Sequence, residues 1–393
     1  MKTFSIDYPT TSVSIRAARF QGKDGGDETH IMITDAVQDS MAEQLSAIES
    51  AYQHALQTLA LSMDSAVFRR VYSSDLANQA ETLAPSPLVG SSDESPVAVS
   101  VVEQPPMPDR RYALWAYHIG DCSTETKQQV GNAVTVKRGE LTHIWSAGLT
   151  APKVNETVDS FLQTEQIFDL YERQLDELGA SLKDNVVRTW LFVQNVDNNY
   201  AGMVEARRAL FEKRGLTKET HYIASTGIEG RHVDKRCNVL MDAYAIAGIG
   251  ENQITYLTAE DHLGPTIDYG VTFERGTRID YRDRRHILIS GTASIDPAGN
   301  TLHMGDVVEQ TKRAVKNAEA LINAAGAELS DLAHLIVYMR DHADYAVIRR
   351  EIEKRFPDTP TVYLRAPVCR PDWLMEIECM AIVNAENPTF HPF

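Results

Sequence analysis

The clearest alternation of apolar and polar positions begins at His286. The run ILISGTASI (287–295) is rich in strand formers and broken by Gly291, and the polar turn DPAGN follows. Val307, Val308, Thr311, Ala314, Val315, Ala318, Leu321 and Ile322 then recur at spacings of three and four, the helical period. Asp306 stands just before them, where a carboxylate caps orphan amides. Gly326 supplies a helix stop, and Leu332–Met339 is apolar enough for a buried strand. A second helix is predicted from about Tyr345 to Arg355, ending before Phe356-Pro357. Thr361–Ala366 and Leu374–Val383 read as strands separated by the turn-like CRPD. The order β-β-α-β-α-β-β predicts a mixed sheet with two helices on one face, an α+β module.

The same pattern returns upstream. Gly179-Ala180-x-Leu182-x-Asp184 recurs as Gly326-Ala327-x-Leu329-x-Asp331 at an offset of 147 residues, and Gln163-Thr164 meets Gln310-Thr311 at the same offset. Tyr200 and Phe211 meet Tyr345 and Phe356 at an offset of 145. A more worn copy has a helical segment from Gln44 to Leu61, then Ala66-Val67-Phe68, interrupted by Arg69-Arg70 before Val71-Tyr72. Terminal strand pairs recur as Val97–Val102 with Tyr112–Tyr117, His221–Ala224 with Val239–Ile246, and the pair in the last copy. The division expected is 1–120, 121–250 and 251–393, with 84–95 as a variable loop and 120–130 and 247–270 as connections. So many apolar sheet positions require the open sheet faces to meet in a closed, pseudo-trimeric body.

Composition narrows the classes of function. With 43% apolar and 24% charged residues, packed cores are expected rather than disorder. A net charge of −17 opposes nucleic acid and anionic membrane over most of the surface. The first 20 residues lack a continuous apolar stretch, so the chain reads as cytoplasmic. Four scattered cysteines and twelve scattered histidines show neither CxxC nor HExxH spacing, and no metal site is expected.

SGTASID (290–296), GDVVEQT (305–311), LIVYM (335–339), FPDTPT (356–361) and MEIECMAIV (375–383) together resemble the RidA family, formerly called YjgF. Members of that family form trimers with small-molecule clefts between subunits, so the resemblance implies a trimer made covalent: a monomer with internal pseudo-threefold symmetry, or a weak homo-oligomer. YIASTGIEG (222–230), the stretch from Gly291 to Asp306 and VCRPDWLMEIE (368–378) are similar to the chorismatase branch. That branch cleaves the enol ether of chorismate, or expels its side chain during aromatisation, and releases pyruvate without metal or organic cofactor. The segment Thr189–Gly215 keeps Trp190 and a basic helix but departs from the branch in the polar residues between them. RidA deaminases hold a substrate carboxylate with an arginine, and the family pattern places that arginine where this chain has Thr361.

Glu376 and Glu378 lie two apart on a strand and therefore share a face. A partly desolvated Glu376 has the raised proton affinity of a general acid, and the family pattern assigns the proton-handling carboxylate to the same position. Glu378 is expected as a partner that holds an arginine or a water. Arg365, alternating within its strand, is placed to face the cleft of Glu376, where a buried guanidinium needs an anion. The resemblance adds Arg349 or its neighbour Arg350, with Arg349 preferred, and Arg275 as carboxylate ligands. It also adds Gly291 and Thr292 as a ligand-binding loop, with Gly148 as the middle module's counterpart. Tyr256 is a candidate for orienting a ring hydroxyl. Cys369 has no histidine beside it in sequence to make it a nucleophile.

The expected activity is that of a metal-free and cofactor-free hydrolase or lyase acting on a small anionic enol ether. Glu376 serves as general acid and arginines grip the carboxylates. The alternatives are an enamine or imine deaminase of the RidA type and a non-catalytic metabolite-binding protein.

Overall fold

The computed structural model describes residues 1–9, 13–34, 40–92, 94–152 and 158–393. Three six-stranded sheets follow one another along the chain. The first comprises β1 (Lys2–Ile6), β2 (Ser14–Phe20), β3 (Glu28–Thr34), β4 (Ala66–Ser73), β5 (Ala98–Glu103) and β6 (Tyr112–Ile119), with helices α1 (Met41–Thr58) and α2 (Leu76–Leu83). The second comprises β7 (Lys127–Val130), β8 (Ala133–Arg138), β9 (Leu141–Thr150), β10 (Val186–Val193), β11 (Ala224–Glu229) and β12 (Val239–Ala247), with α3 (Ser160–Glu177), the short α4 (Leu182–Asn185) and α5 (Val196–Lys213). The third comprises β13 (Ile254–Tyr256), β14 (Gly276–Asp280), β15 (Arg284–Thr292), β16 (Leu332–Met339), β17 (Thr361–Arg365) and β18 (Met375–Asn384), with α6 (Val307–Ala324) and α7 (Tyr345–Arg355).

All three sheets have one spatial order. It is β1-β2-β3-β6-β4-β5 in the first, β7-β8-β9-β12-β10-β11 in the second and β13-β14-β15-β18-β16-β17 in the third. Only the last neighbours, β4/β5, β10/β11 and β16/β17, run parallel, because a helix crosses between them. The sequence repeat has a local cause. Gly179 and Gly326 both end a long helix with positive φ, 69° and 81°, where a side chain would strain the backbone. Asp159 and Asp306 cap the helices α3 and α6 by accepting from the amides of Leu162 and Glu309.

The structure shifts several sequence-based boundaries. The segments 120–130 and 247–270 are not plain connections, since they contain the edge strands β7 and β13. Edge strands of four and three residues are too short to show period-two alternation. The strand expected at His221–Ala224 starts only at Ala224, at the point where pairing with Arg188 begins. Arg69-Arg70 does not interrupt its strand. Arg69 reaches the carbonyls of Pro87 and Gly90 in the 84–95 loop, while Arg70 reaches another module. Asp93 of that loop lies outside the described residues.

One sheet face carries the helices and the other meets the remaining two modules. The apolar core therefore runs continuously from Phe68 and Trp115 through Trp145 and Trp190 to Leu288 and Met380. Each interface also carries a buried ion pair. Arg70 joins Asp242 at 2.7 Å (first to second module), Arg188 joins Glu378 at 2.8 Å (second to third) and Arg284 joins Glu28 at 2.8 Å (third to first). Among the described residues no helix is long and apolar enough to cross a membrane.

Removing one partner of such a pair leaves an uncompensated buried charge, at a cost of about 3–5 kcal/mol. Asp242→Ala is expected to lower the unfolding free energy measured in urea by an amount of that order. The double change Arg70→Met with Asp242→Leu should recover most of the loss, and equal destabilisation in both variants would contradict this account.

Candidate active site

Counting along the sheet pairings gives Glu376 a counterpart in each module. It pairs with Tyr338, whereas Leu240 pairs with Phe192 and Ala113 with Tyr72 at the equivalent positions. Only the third module places an acid there. The Glu376 side chain leaves β18 toward the second module and is 4% exposed. Its carboxylate lies over Gly291, where an added Cβ would sit 2.1 Å from Oε1. Gly291 belongs to a bulge, since the β15/β18 register shifts between Ile289 and Thr292. A similar shift between β9 and β12 surrounds Gly148, while β3 and β6 pair without interruption.

The carboxylate faces a cavity between the second and third modules. The second module supplies Tyr200 and Arg207 from α5 and Ser225, Thr226 and Gly227 from β11. The segment before β14 brings Tyr269, Val271, Phe273 and Arg275, and the CRPD turn brings Cys369, Arg370 and Trp373. Glu376 is the only carboxylate among these lining residues, against three guanidinium groups.

Each guanidinium is held differently. Arg275 donates from Nε and Nη2 to the Gly264 carbonyl and lies over the rings of Tyr269 and Phe273. Arg370 donates to the Gly299 carbonyl and stacks on Tyr269 and Trp373. Arg207, 2% exposed, makes among the described residues only a long contact of 3.4 Å to Ser225 Oγ, and its Nε and Nη2 have no partner among them. Burial pulls its proton affinity down, and only the Tyr200 hydroxyl and the Cys369 thiol oppose that. An orphaned cation of this kind needs an anion from outside the protein.

Glu376 is protonated at neutral pH. Burial and then the Glu378 charge push its pKa up to about 8, against the pull of Arg188 and Arg275. Among the described residues no hydrogen bond fixes its carboxyl. Glu378 has the opposite environment, accepting from Arg188 Nη2 at 2.8 Å and Trp190 Nε1 at 2.9 Å. Arg188 also donates to Thr226 Oγ1, which accepts from the Gly291 amide at 2.9 Å. One chain of bonds thus ties the acid's seat to the second module. Burial, with the Glu376 charge adding to it, pushes the Cys369 thiol up to about 12, so it is not a thiolate.

The structure brings together Glu376, Arg275 and Gly291 from the sequence analysis and separates the others. Arg349 is exposed on α7 and pairs with Glu353, and Arg350 is exposed beside Glu351. Both lie on the far side of the third module, because α7 faces the first module. Arg365 is exposed at the end of β17, where its amide bonds to Pro105 of the first module. Thr361 lies at the start of the same strand, so the arginine expected there would not reach Glu376. Tyr256 stacks on His221 with ring centroids 4.2 Å apart, outside the cavity. The Gly291 amide is already bonded to Thr226, and Thr292 Oγ1 donates to Ser290 O. Sequence reasoning did not single out Arg207. Its signal was an arginine within the buried stripe Met203, Val204, Ala206, Leu210 and Phe211 of α5. Among the described residues no group of three or more His, Cys, Asp and Glu side chains is arranged to hold a metal ion.

Residues 279–383 match the family model described as Endoribonuclease L-PSP. A RutC family protein of Pyrococcus abyssi is 33% identical over 97 residues, covering 24% of this chain and 76% of the relative. A 3-hydroxybenzoate synthase of Streptomyces hygroscopicus is 35% identical over 227 residues, covering 52% of this chain and 64% of the relative, so the match spans less than two thirds of that protein. Among solved structures, a chorismatase shares the fold with a TM-score of 0.62 at 19% identity, over 81% of this chain and 93% of its own. With the fold, the tandem sheets and these matches in agreement, the chain belongs to the RidA family and resembles its chorismatase branch.

Proposed function

We propose that the cavity between the second and third modules cleaves the enol ether of a small ring metabolite with two carboxylates, chorismate-like in shape, and releases pyruvate. The observation that carries this reading is a buried, protonated carboxyl facing a cavity with three guanidinium groups and no other acid. A dianion balances that charge and supplies the acceptors that Arg207 lacks. The names of the two relatives, a 3-hydroxybenzoate synthase and a chorismatase, point to the same substrate class.

In this reading Glu376 gives its proton to the methylene carbon of the enol ether, and the ether oxygen's lone pair stabilises the oxocarbenium centre that forms. Water then adds to that centre, returning a proton to Glu376. Collapse of the hemiketal breaks the bond to the ring oxygen and frees pyruvate. Loss of a ring proton with expulsion of the side chain is the aromatising alternative from the same start. The guanidinium groups of Arg207, Arg275 and Arg370 keep the substrate carboxylates in place while charge develops. A RidA-type deaminase substrate with a single carboxylate would leave more of the cationic wall unmatched.

Purified protein incubated with chorismate should release pyruvate, followed by a coupled dehydrogenase, and chromatography of the ring product separates hydrolysis from aromatisation. No pyruvate at high enzyme concentration would rule out this reading. Glu376→Gln should lower kcat by about tenfold to a hundredfold or more while binding persists. Arg207→Gln should raise KM by about tenfold, as loss of a charge-assisted contact requires.

Activity should be retained on the acid side and lost as pH rises through about 8, where Glu376 ionises. The same shift links to stability. The folded state binds this proton more tightly than the unfolded chain, so its contribution is fully present below the ordinary carboxylate pKa and lost as pH rises toward 8. Glu376→Gln should therefore melt at a higher temperature than the wild type at pH 8.5, even though its turnover is impaired.

A further inference from the structure

We propose that the cleft between the third and first modules is a second, non-catalytic binding site for a small carboxylate that carries a flat ring. The cleft is the counterpart of the active-site cavity. In the pairings of the two parallel edges, Thr361 and Tyr363 of β17 fall where Ser225 and Gly227 of β11 fall in the active site. Tyr345 of α7 repeats Tyr200 of α5. The space is wider than the active-site cavity.

Chemistry is missing there and recognition is present. Ala113 stands where Glu376 stands in the active cavity, and the first module has no bulge to seat a carboxyl. Among the described residues three arginines line the cleft, namely Arg16, Arg110 and Arg349, against one lining acid, Glu353. Arg349 uses Nε on Glu353 and Nη1 on the Tyr345 hydroxyl. Among the described residues Arg16 has only a distant ion pair of 3.9 Å to Asp358. Among the described residues Arg110 has no ion-pair partner. In a chain of net charge −17, an unbalanced cationic recess is a place where anions concentrate. Beside the arginines stand Phe356 and the edge-to-face pair of Tyr345 and Tyr363, with centroids 5.6 Å apart. Aromatic walls of this kind accept a ring, and guanidinium forks accept its carboxylate. At the interface between the first and second modules, Val99 and Val101 take the positions of Ser225 and Gly227.

Crystals of the full chain soaked with 4-bromobenzoate should show a bromine anomalous peak beside Tyr345 and Tyr363 with the carboxylate near Arg110. Calorimetry with benzoate should give at least tenfold weaker binding to this cleft in Arg110→Ala/Arg349→Ala, where Arg349 is exposed, Arg110 is half-buried and neither belongs to the apolar core. Glu376→Gln should bind in this cleft like the wild type, so a failed activity reading would leave this result intact. A bromine peak confined to the Glu376 cavity, no peak at all, or unchanged affinity in the double variant would overturn the proposal.

Discussion

The structure depends on how charge is tolerated where three sheet faces close on one another. That region is shielded from water, and an ionised group placed there costs several kcal/mol unless a partner meets it. Asp242, Glu378 and Glu28 each meet an arginine from the neighbouring module. These contacts fix which module faces which, a specificity that apolar packing alone does not supply. Glu376 is the acid left out of this pairing. Arg188, the nearest buried cation on its face, is already committed to Glu378 and Thr226, so the cheapest state for Glu376 is neutral. A structural pairing thereby makes a proton donor of its neighbour.

The third module was largely legible because its helices and strands obey local rules. Asp306 caps, Gly326 stops, and the helical spacing from Val307 to Ile322 is unbroken, so α6, β16 and α7 fall close to their expected ranges. The offset repeat likewise revealed a second copy, since capping residues and helix stops are tied to backbone geometry. Glu376 was found by alternation along one strand and by family pattern together. The arginines were not, because a guanidinium's destination depends on which module lies across the interface. Arg349 and Arg207 occupy helices with the same role in the repeat. One faces the first module, and the other faces the acid. The difference lies in the order of three modules around an axis, which no local period records.

Divergence among the copies followed what each interface could lose. At the first-to-second interface, Val99 and Val101 stand where the active cavity has Ser225 and Gly227. The third-to-first cleft kept basic residues but has Ala113 at the position of Glu376, and the second-to-third cavity kept both the arginines and the acid. Gly148 shows that a bulge alone is not enough. It survives in the middle module with its amide bonded to Asp242, yet Leu240 occupies the acid's position beside it.

The buried ion pairs have a consequence for assembly. In a trimer of separate identical chains, an arginine added at one interface is added at all three, and each copy must satisfy the same contact. Here Arg70, Arg188 and Arg284 sit at three different positions of the repeat, an asymmetry available only when one polypeptide carries all the copies. The connections also replace encounter between subunits with an effective concentration set by short linkers. The cavity at Glu376, built from two modules of one chain, thus remains assembled at dilutions that would dissociate a trimer of separate subunits.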